Sequence, residues 1–334
     1  MKGIDFQQSV FDTTYQAFED FFHSETFTYR FFAPVTGLKM ETEKLEIDPN
    51  LAIVRVSEQE KEEFLSEIPA FYPINSTATT HDSALEYFQE YPKIIGDHDT
   101  PFTEHPLEAV KRKFAELCSA LRLFKQGSLA FNHIWMQNTT FSLEGIGPTH
   151  NPYSAPRLFD SYTLLNAEIA DFLAFWQTYR QAVNNPLKRL PGAISRFNFG
   201  YERYRPEDRL VDYVVAFEGL LLGDQQELRY KLALRGAALL SETATERKAI
   251  FEELSEAYKQ RNNVVHGDSH SPTITINQTQ IPFCELVDRT QEHLRSAIKK
   301  FLALCLERSE KHIIEDIDDK IIAGFSARQA AIQQ

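Results

Sequence analysis

The stretch IFEELSEAYKQRNNVVHGD, residues 250–268, decides the reading of this chain. It opens with helical periodicity and ends in Arg261, a polar Asn262, three spacer residues, His266 and the helix-stopping Gly267. Arg261 offers a permanently charged fork of N–H donors that suits a phosphate. His266 offers a group that takes or gives a proton near neutral pH. Together they have the parts to cleave RNA without a metal, provided that both reach the same phosphate.

That proviso is geometric. Five residues at about 100° each would turn the two side chains roughly 140° apart on an unbroken helix. The helix is therefore expected to end or distort between them, with Arg261 in its last turn and His266 at or beyond the end, free to swing back. Gly267 agrees with such an ending. Pairing the same surface across a twofold axis is the other route, since it supplies two arginines and two histidines to one cleft. A non-catalytic reading stands beside both: arginine and histidine in a last turn also suit the helix dipole, and Asn, His and Gly are common at helix ends.

The chain around this stretch has 334 residues, 43% apolar and 25% charged, the composition of a globular protein with a prior of about two domains. No apolar run approaches the roughly 20 residues that cross a bilayer, so no membrane partner is expected. The opening MKGIDFQQSVFDTTYQ lacks the apolar core of a signal peptide. Cys118, Cys284 and Cys305 are widely spaced and imply neither a disulfide framework nor a zinc site. A cytoplasmic location is the default. The formal net charge of -13 disfavours nonspecific binding to nucleic acid. Lys188, Arg189, Arg196, Arg203, Arg205 and Arg209 form a basic stretch, but Glu202, Glu207 and Asp208 dilute it, and a solvated face is expected there.

Residues 1–155 read as an α+β region. FTYRFFAP (27–34) and LAIVRVS (51–57) have strand composition, EKEEFLSEIPAFY (60–72) reads as a short helix, and 76–105 as a loop with a brief helix around SALEYFQEY (83–91). A helix over 106–124 and two strands within 129–145 follow, then the turn-rich connection 144–159 that holds the expected boundary. Residues 156–334 read as nearly all helical. Helices are expected over 162–183, 190–204, 206–222 and 225–240, then one capped by Thr245 that runs to the motif. A β-like or extended segment at 271–283 and two last helices over 284–308 and 311–330 complete the chain.

The implied chemistry is transesterification within RNA. A base takes the 2′-OH proton, the oxygen attacks the adjacent phosphorus, and an acid protonates the departing 5′-oxygen. His266 suits either proton step, Arg261 holds the phosphate and its added charge, and Asn262 orients the histidine or bonds a phosphate oxygen. DNA lacks the 2′-OH, so RNA is the expected substrate. The mechanism needs no cofactor and no metal. GDHDT (96–100), with Asp97, His98 and Asp99, is read as an exposed loop rather than a metal site, and His133 as a strand residue. No nucleophile elbow, Walker loop or dinucleotide fingerprint supports a hydrolase, kinase or dehydrogenase of those classes.

Three consecutive segments, RLVDYVVAFEGLLL (209–222), ELRYKLALRGAALL (227–240) and IFEELSEAYKQRNNVVHGD (250–268), carry a resemblance in their order and spacing. Asp212 and Glu218 stand in the first, Arg235 in the second, and Tyr258 three residues before Arg261 in the third. Together they resemble the Apea-like branch of the HEPN superfamily over about residues 205–308. The resemblance implies a mainly α protein whose C-terminal HEPN-like helical bundle, joined to the N-terminal α+β region, forms a homodimer around the Arg-x-x-x-x-His motif. It implies a metal-independent endoribonuclease of the kind that serves as a toxin or antiviral effector, with Arg261 and His266 as the catalytic pair and Asn262 beside them. A non-catalytic dimerisation or RNA-binding module is the alternative within the same superfamily. A regulatory protein or nucleic-acid trigger is a further partner, and the N-terminal region a sensing or restraining part. Some members carry a modified tyrosine two residues after the histidine; here that position is Asp268. Glu218 and Arg235 are read as a mutual ion pair fixing helix register, the other reading being that one of them positions Arg261. Asp212 is read as structural, and Tyr258 as packing against Arg261 or stacking a base.

Overall fold

The computed structural model describes residues 7–67, 82–92, 106–139, 146–150, 161–223, 227–267 and 271–332. It divides the chain into one unit of Met1–Cys118 with Gly127–Glu168 and a second of Ser119–Gln126 with Ile169–Gln334. The boundary expected near residue 155, the GDHDT segment and Asp268 lie outside the described residues. Helix predominates, as expected: ten α-helices are found among the described residues. None of them is long and apolar enough to cross a membrane.

The first unit is built on an antiparallel sheet. Helix α1 (Gln8–His23) precedes strand β1 (Thr26–Thr36), then β2 (Leu38–Met40), β3 (Lys44–Asp48), β4 (Leu51–Arg55), helix α2 (Glu58–Glu67) and β5 (Ser83–Pro92). Helix α3 (Pro106–Phe124), β6 (Ala130–Phe131), β7 (His133–Asn138), β8 (Ile146–His150) and β9 (Tyr162–Leu164) follow. The sheet order is β3-β4-β5-β1-β7-β8, with β6 also on β1, while β2 pairs β9. The segment SALEYFQEY, expected as a brief helix, is β5. It pairs β1 from Thr26 opposite Pro92 to Val35 opposite Ser83, and pairs β4 on its other edge. Two neighbouring strands satisfy its backbone and bury Ala84 and Leu85, which outweighs the helical preference of its Ala, Leu, Glu and Gln.

The second unit is a helical array. It comprises α4 (Ile169–Val183), α5 (Leu190–Glu202), α6 (Pro206–Leu221), α7 (Leu228–Leu240), α8 (Ala244–His266), α9 (Phe283–Leu304) and α10 (Glu310–Ile332). Residues 162–164, expected as the start of a helix, are strand β9 instead, and the helix begins at Ile169. The extended segment is the hairpin β10 (Thr273–Ile276) and β11 (Thr279–Pro282), turned at Asn277 and Gln278 with φ of 51° and 66°.

The core gathers Leu210, Tyr213, Phe217 and Leu220 of α6, Leu232 and Ala233 of α7, Leu254 and Ala257 of α8, and Leu286, Leu294, Ile298 and Phe301 of α9. Two glycines set how closely helices approach. A Cβ on Gly200 of α5 would meet Tyr213 Cε1 at 2.1 Å, and one on Gly236 of α7 would meet Leu254 Cδ1 at 2.5 Å. The second contact brings α7 close to α8, the helix that carries Arg261.

Candidate active site

Helix α8 is well defined at both ends. Thr243, not the expected Thr245, is its N-cap and accepts from the Glu246 N–H; Glu246 in turn accepts from the Thr243 and Ser241 hydroxyls at 2.9 and 2.6 Å. The Thr243 hydroxyl thus satisfies one orphan N–H at the helix start, and the Glu246 carboxylate holds that hydroxyl in place. At the other end Gly267 takes φ 80° and ψ 13°, and its N–H bonds to the carbonyls of Asn263 and Val264. A side chain would strain that left-handed conformation, which explains why a glycine stops the helix.

His266 is consequently the last helical residue, and the helix is unbroken from Arg261 to it. The expected ending between the two does not occur, because the sequence supplies its left-handed residue only at 267. Arg261 and His266 therefore diverge by roughly 140° around one axis, and a single copy does not bring them together. His266 is exposed and makes no hydrogen bond or ion pair among the described residues.

Arg261 sits in a cluster of its own. Its Nη2 donates to Glu218 Oε2 at 3.0 Å, and its Nη1 to Asn262 Oδ1 at 3.0 Å. The guanidinium carbon lies 5.6 Å from the Tyr258 ring centroid, and Nε is buried without an acceptor. With Nε buried, one hydrogen on each of Nη1 and Nη2 is left by the two bonds. The Arg261 and Glu218 side chains are 20% and 21% exposed, sheltered yet open to a ligand. Burial pushes the Tyr258 phenol above its ordinary range, and the charge and hydrogen bonding of Glu218 add to the push. Tyr258 thus remains a neutral hydroxyl donor.

The ion pair expected between Glu218 and Arg235 does not form. Glu218, on α6, reaches Arg261 instead. Arg235 grips Asp318 of α10 through Nε and Nη2, at 2.8 and 2.7 Å, and donates to the Leu221 carbonyl at 2.7 Å. It ties α10 to the end of α6 and stands apart from the cluster. Asn262 orients the arginine, not the histidine. Asp212 is buried and accepts from Arg196 and Arg203, both at 2.9 Å, a structural role as expected. The rest of the basic stretch is largely paired: Arg189 donates to the Leu222 carbonyl, Arg205 faces Glu207, and Arg209 faces Asp288.

Beside Tyr258 opens a cleft of about 800 Å³ lined by Glu227, Leu228, Arg229, Tyr230, Ser255 and Tyr258. Sequence reasoning missed Arg229, Tyr230 and Ser255. Ser255 had a signal, standing three and six residues before Tyr258 and Arg261 on one side of α8. Arg229 and Tyr230, at the start of α7, had none. No family model matches the chain, and neither a curated protein nor a solved structure matches it.

Proposed function

We infer that the protein is a metal-independent endoribonuclease acting as a homodimer of its HEPN-like domain. The observation that carries this reading is the state of Arg261: a partly open guanidinium, held at two donors by Glu218 and Asn262 and backed by Tyr258, on the same helix as an exposed His266. Such a guanidinium is preorganised for a phosphate oxygen, and it enters the reaction with little reorganisation. The histidine that serves the phosphate on one copy's Arg261 comes from the other copy, because the unbroken helix separates the two within a chain. His266 takes the proton from the 2′-OH; the oxygen attacks phosphorus and the P–O5′ bond breaks. The departing 5′-oxygen receives the proton that His266 took up, leaving a 2′,3′-cyclic phosphate and a 5′-OH. Arg261 neutralises the charge gained at phosphorus on the way.

Incubation of the full chain with RNA in EDTA tests this. Cleavage to 2′,3′-cyclic phosphate ends, lost in both Arg261→Ala and His266→Ala, supports it; cleavage that persists in both variants overturns it. The unbroken helix favours a second reading, a non-catalytic dimerisation or RNA-binding module. That reading expects RNA binding weakened by Arg261→Ala, with no cyclic phosphate formed by the wild type. A cytoplasmic toxin or antiviral role, with the first unit sensing a protein or nucleic-acid trigger, rests on the sequence resemblance.

A further inference from the structure

The cleft beside Tyr258 is open to solvent and carries cationic, polar and aromatic side chains. Its volume of about 800 Å³ falls within the roughly 300–1,000 Å³ of small-molecule pockets. Arg229 donates from Nε to Ser255 Oγ at 2.9 Å and makes no ion pair among the described residues. Arg196, Arg203, Arg235, Arg247, Arg261 and Arg289, by contrast, each face a carboxylate. Tyr230, next in the chain, is 50% exposed, its ring set edge-on to Phe251 with centroids 5.7 Å apart. An exposed aromatic ring and a guanidinium with no ion pair among the described residues, both lining one cleft, can take a base by stacking and its phosphate by charge-assisted hydrogen bonds. Glu227 also lines the cleft, and its carboxylate repels a phosphate. The phosphate accordingly belongs on the Arg229–Ser255 side. Tyr258 lines this cleft, and its ring centroid lies 5.6 Å from the Arg261 guanidinium carbon.

We propose that this cleft binds a nucleoside monophosphate unit, with the base on Tyr230 and the phosphate on Arg229. As a mononucleotide site it stands apart from the cleavage chemistry. Its use as the subsite for the nucleotide flanking the cut bond rests on the ribonuclease reading.

Isothermal titration of the full chain with AMP, and with inorganic phosphate as control, tests the site. AMP is expected to bind more tightly than phosphate. Tyr230→Ala should weaken AMP binding about fivefold or more, and Tyr230→Phe should restore it, since stacking needs the ring and not the hydroxyl. Arg229→Gln should weaken it comparably, while Arg308→Gln, at an exposed position that does not line the cleft, should leave it within about twofold. Circular dichroism melts verify that each variant is folded. The site is overturned if the wild type binds no AMP at millimolar concentration, if phosphate binds as tightly as AMP, or if Tyr230→Ala and Arg229→Gln bind AMP like the wild type. Slower RNA cleavage by Tyr230→Ala supports the flanking subsite. AMP binding with unchanged cleavage by that variant overturns the flanking role and identifies a free nucleotide as the ligand. AMP binding by a wild type that cuts no RNA removes the ribonuclease reading and leaves the mononucleotide site standing.

Discussion

Mixing two inactive variants tests the geometry of α8 directly. Arg261 and His266 are separated by roughly 140° around the helix axis and about 7.5 Å along it. The helix is held to His266 by the Gly267 cap. A composite site must then take Arg261 from one copy and His266 from the other. Arg261→Ala and His266→Ala homodimers each lack one partner at both sites. In a mixed dimer one composite site has lost both residues and the other keeps both. Random assortment at equal concentration makes about half the dimers mixed, each with one intact site of two, so about a quarter of wild-type activity should return. The assay is cleavage of an end-labelled RNA in EDTA after the variants are co-expressed with different tags, with the mixed dimer verified by tandem purification. With an active wild type, mixed dimers no more active than either parent would refute the composite site and show that both residues act from one copy or that all four are needed together.

Three further outcomes follow from the surroundings of the site. Glu218→Ala removes the carboxylate that fixes Arg261 Nη2, so single-turnover cleavage should fall about ten- to hundredfold while RNA affinity in a filter assay holds or tightens; an unchanged rate would deny Glu218 a positioning role. Gly200→Ala drives a methyl into the Tyr213 ring, where the nearest atom is 2.1 Å away, and should cost about 2 kcal/mol in urea denaturation; a neutral result would mean that α5 and α6 separate freely. Glu253 is partly buried, which raises its pKa, but hydrogen bonds from His293 and Arg289 outweigh burial and hold the carboxyl below its ordinary 4.5. The folded state therefore binds fewer protons than the unfolded one near that pH. The resulting stability is present above 4.5 and lost as pH falls through the lowered folded value. Glu253→Gln should be less stable than the wild type at pH 7, with the gap closing in acid; a gap independent of pH would contradict this.

Much of the second unit was legible because its helices bury one face each, and burial writes a helical period into the sequence. The helix over 206–222 and the β-like segment at 271–283 appear where the pattern puts them. SALEYFQEY was misread for the opposite reason. A strand between two other strands is set by its partners, and its own residues favour a helix. The site shows the same limit. Arg261, Tyr258 and Asn262 lie within five positions of one helix, so their proximity was readable. Glu218 is 43 residues from Arg261, and nothing local distinguishes a carboxylate that will meet Arg261 from one that will meet Arg235. The decision lies with Asp318, on a distant helix, which occupies Arg235 and leaves Glu218 to Arg261.

Charge requires that any binding of a polynucleotide be local in such a protein. With a net charge of -13 the overall field repels a polynucleotide, and the basic stretch at 188–209 is largely consumed by Asp212, Glu207 and Asp288. Attraction then depends on the few guanidinium donors that acids leave unsatisfied. Two such places are Arg261 of α8, with two Nη hydrogens left by Glu218 and Asn262, and Arg229 of α7, bound to a serine hydroxyl and to no carboxylate among the described residues. Tyr258 lies beside Arg261 and lines the cleft that Arg229 also lines. A strand held at these two points would make few phosphate contacts, so its affinity should depend weakly on salt and strongly on the stacking that Tyr230 provides.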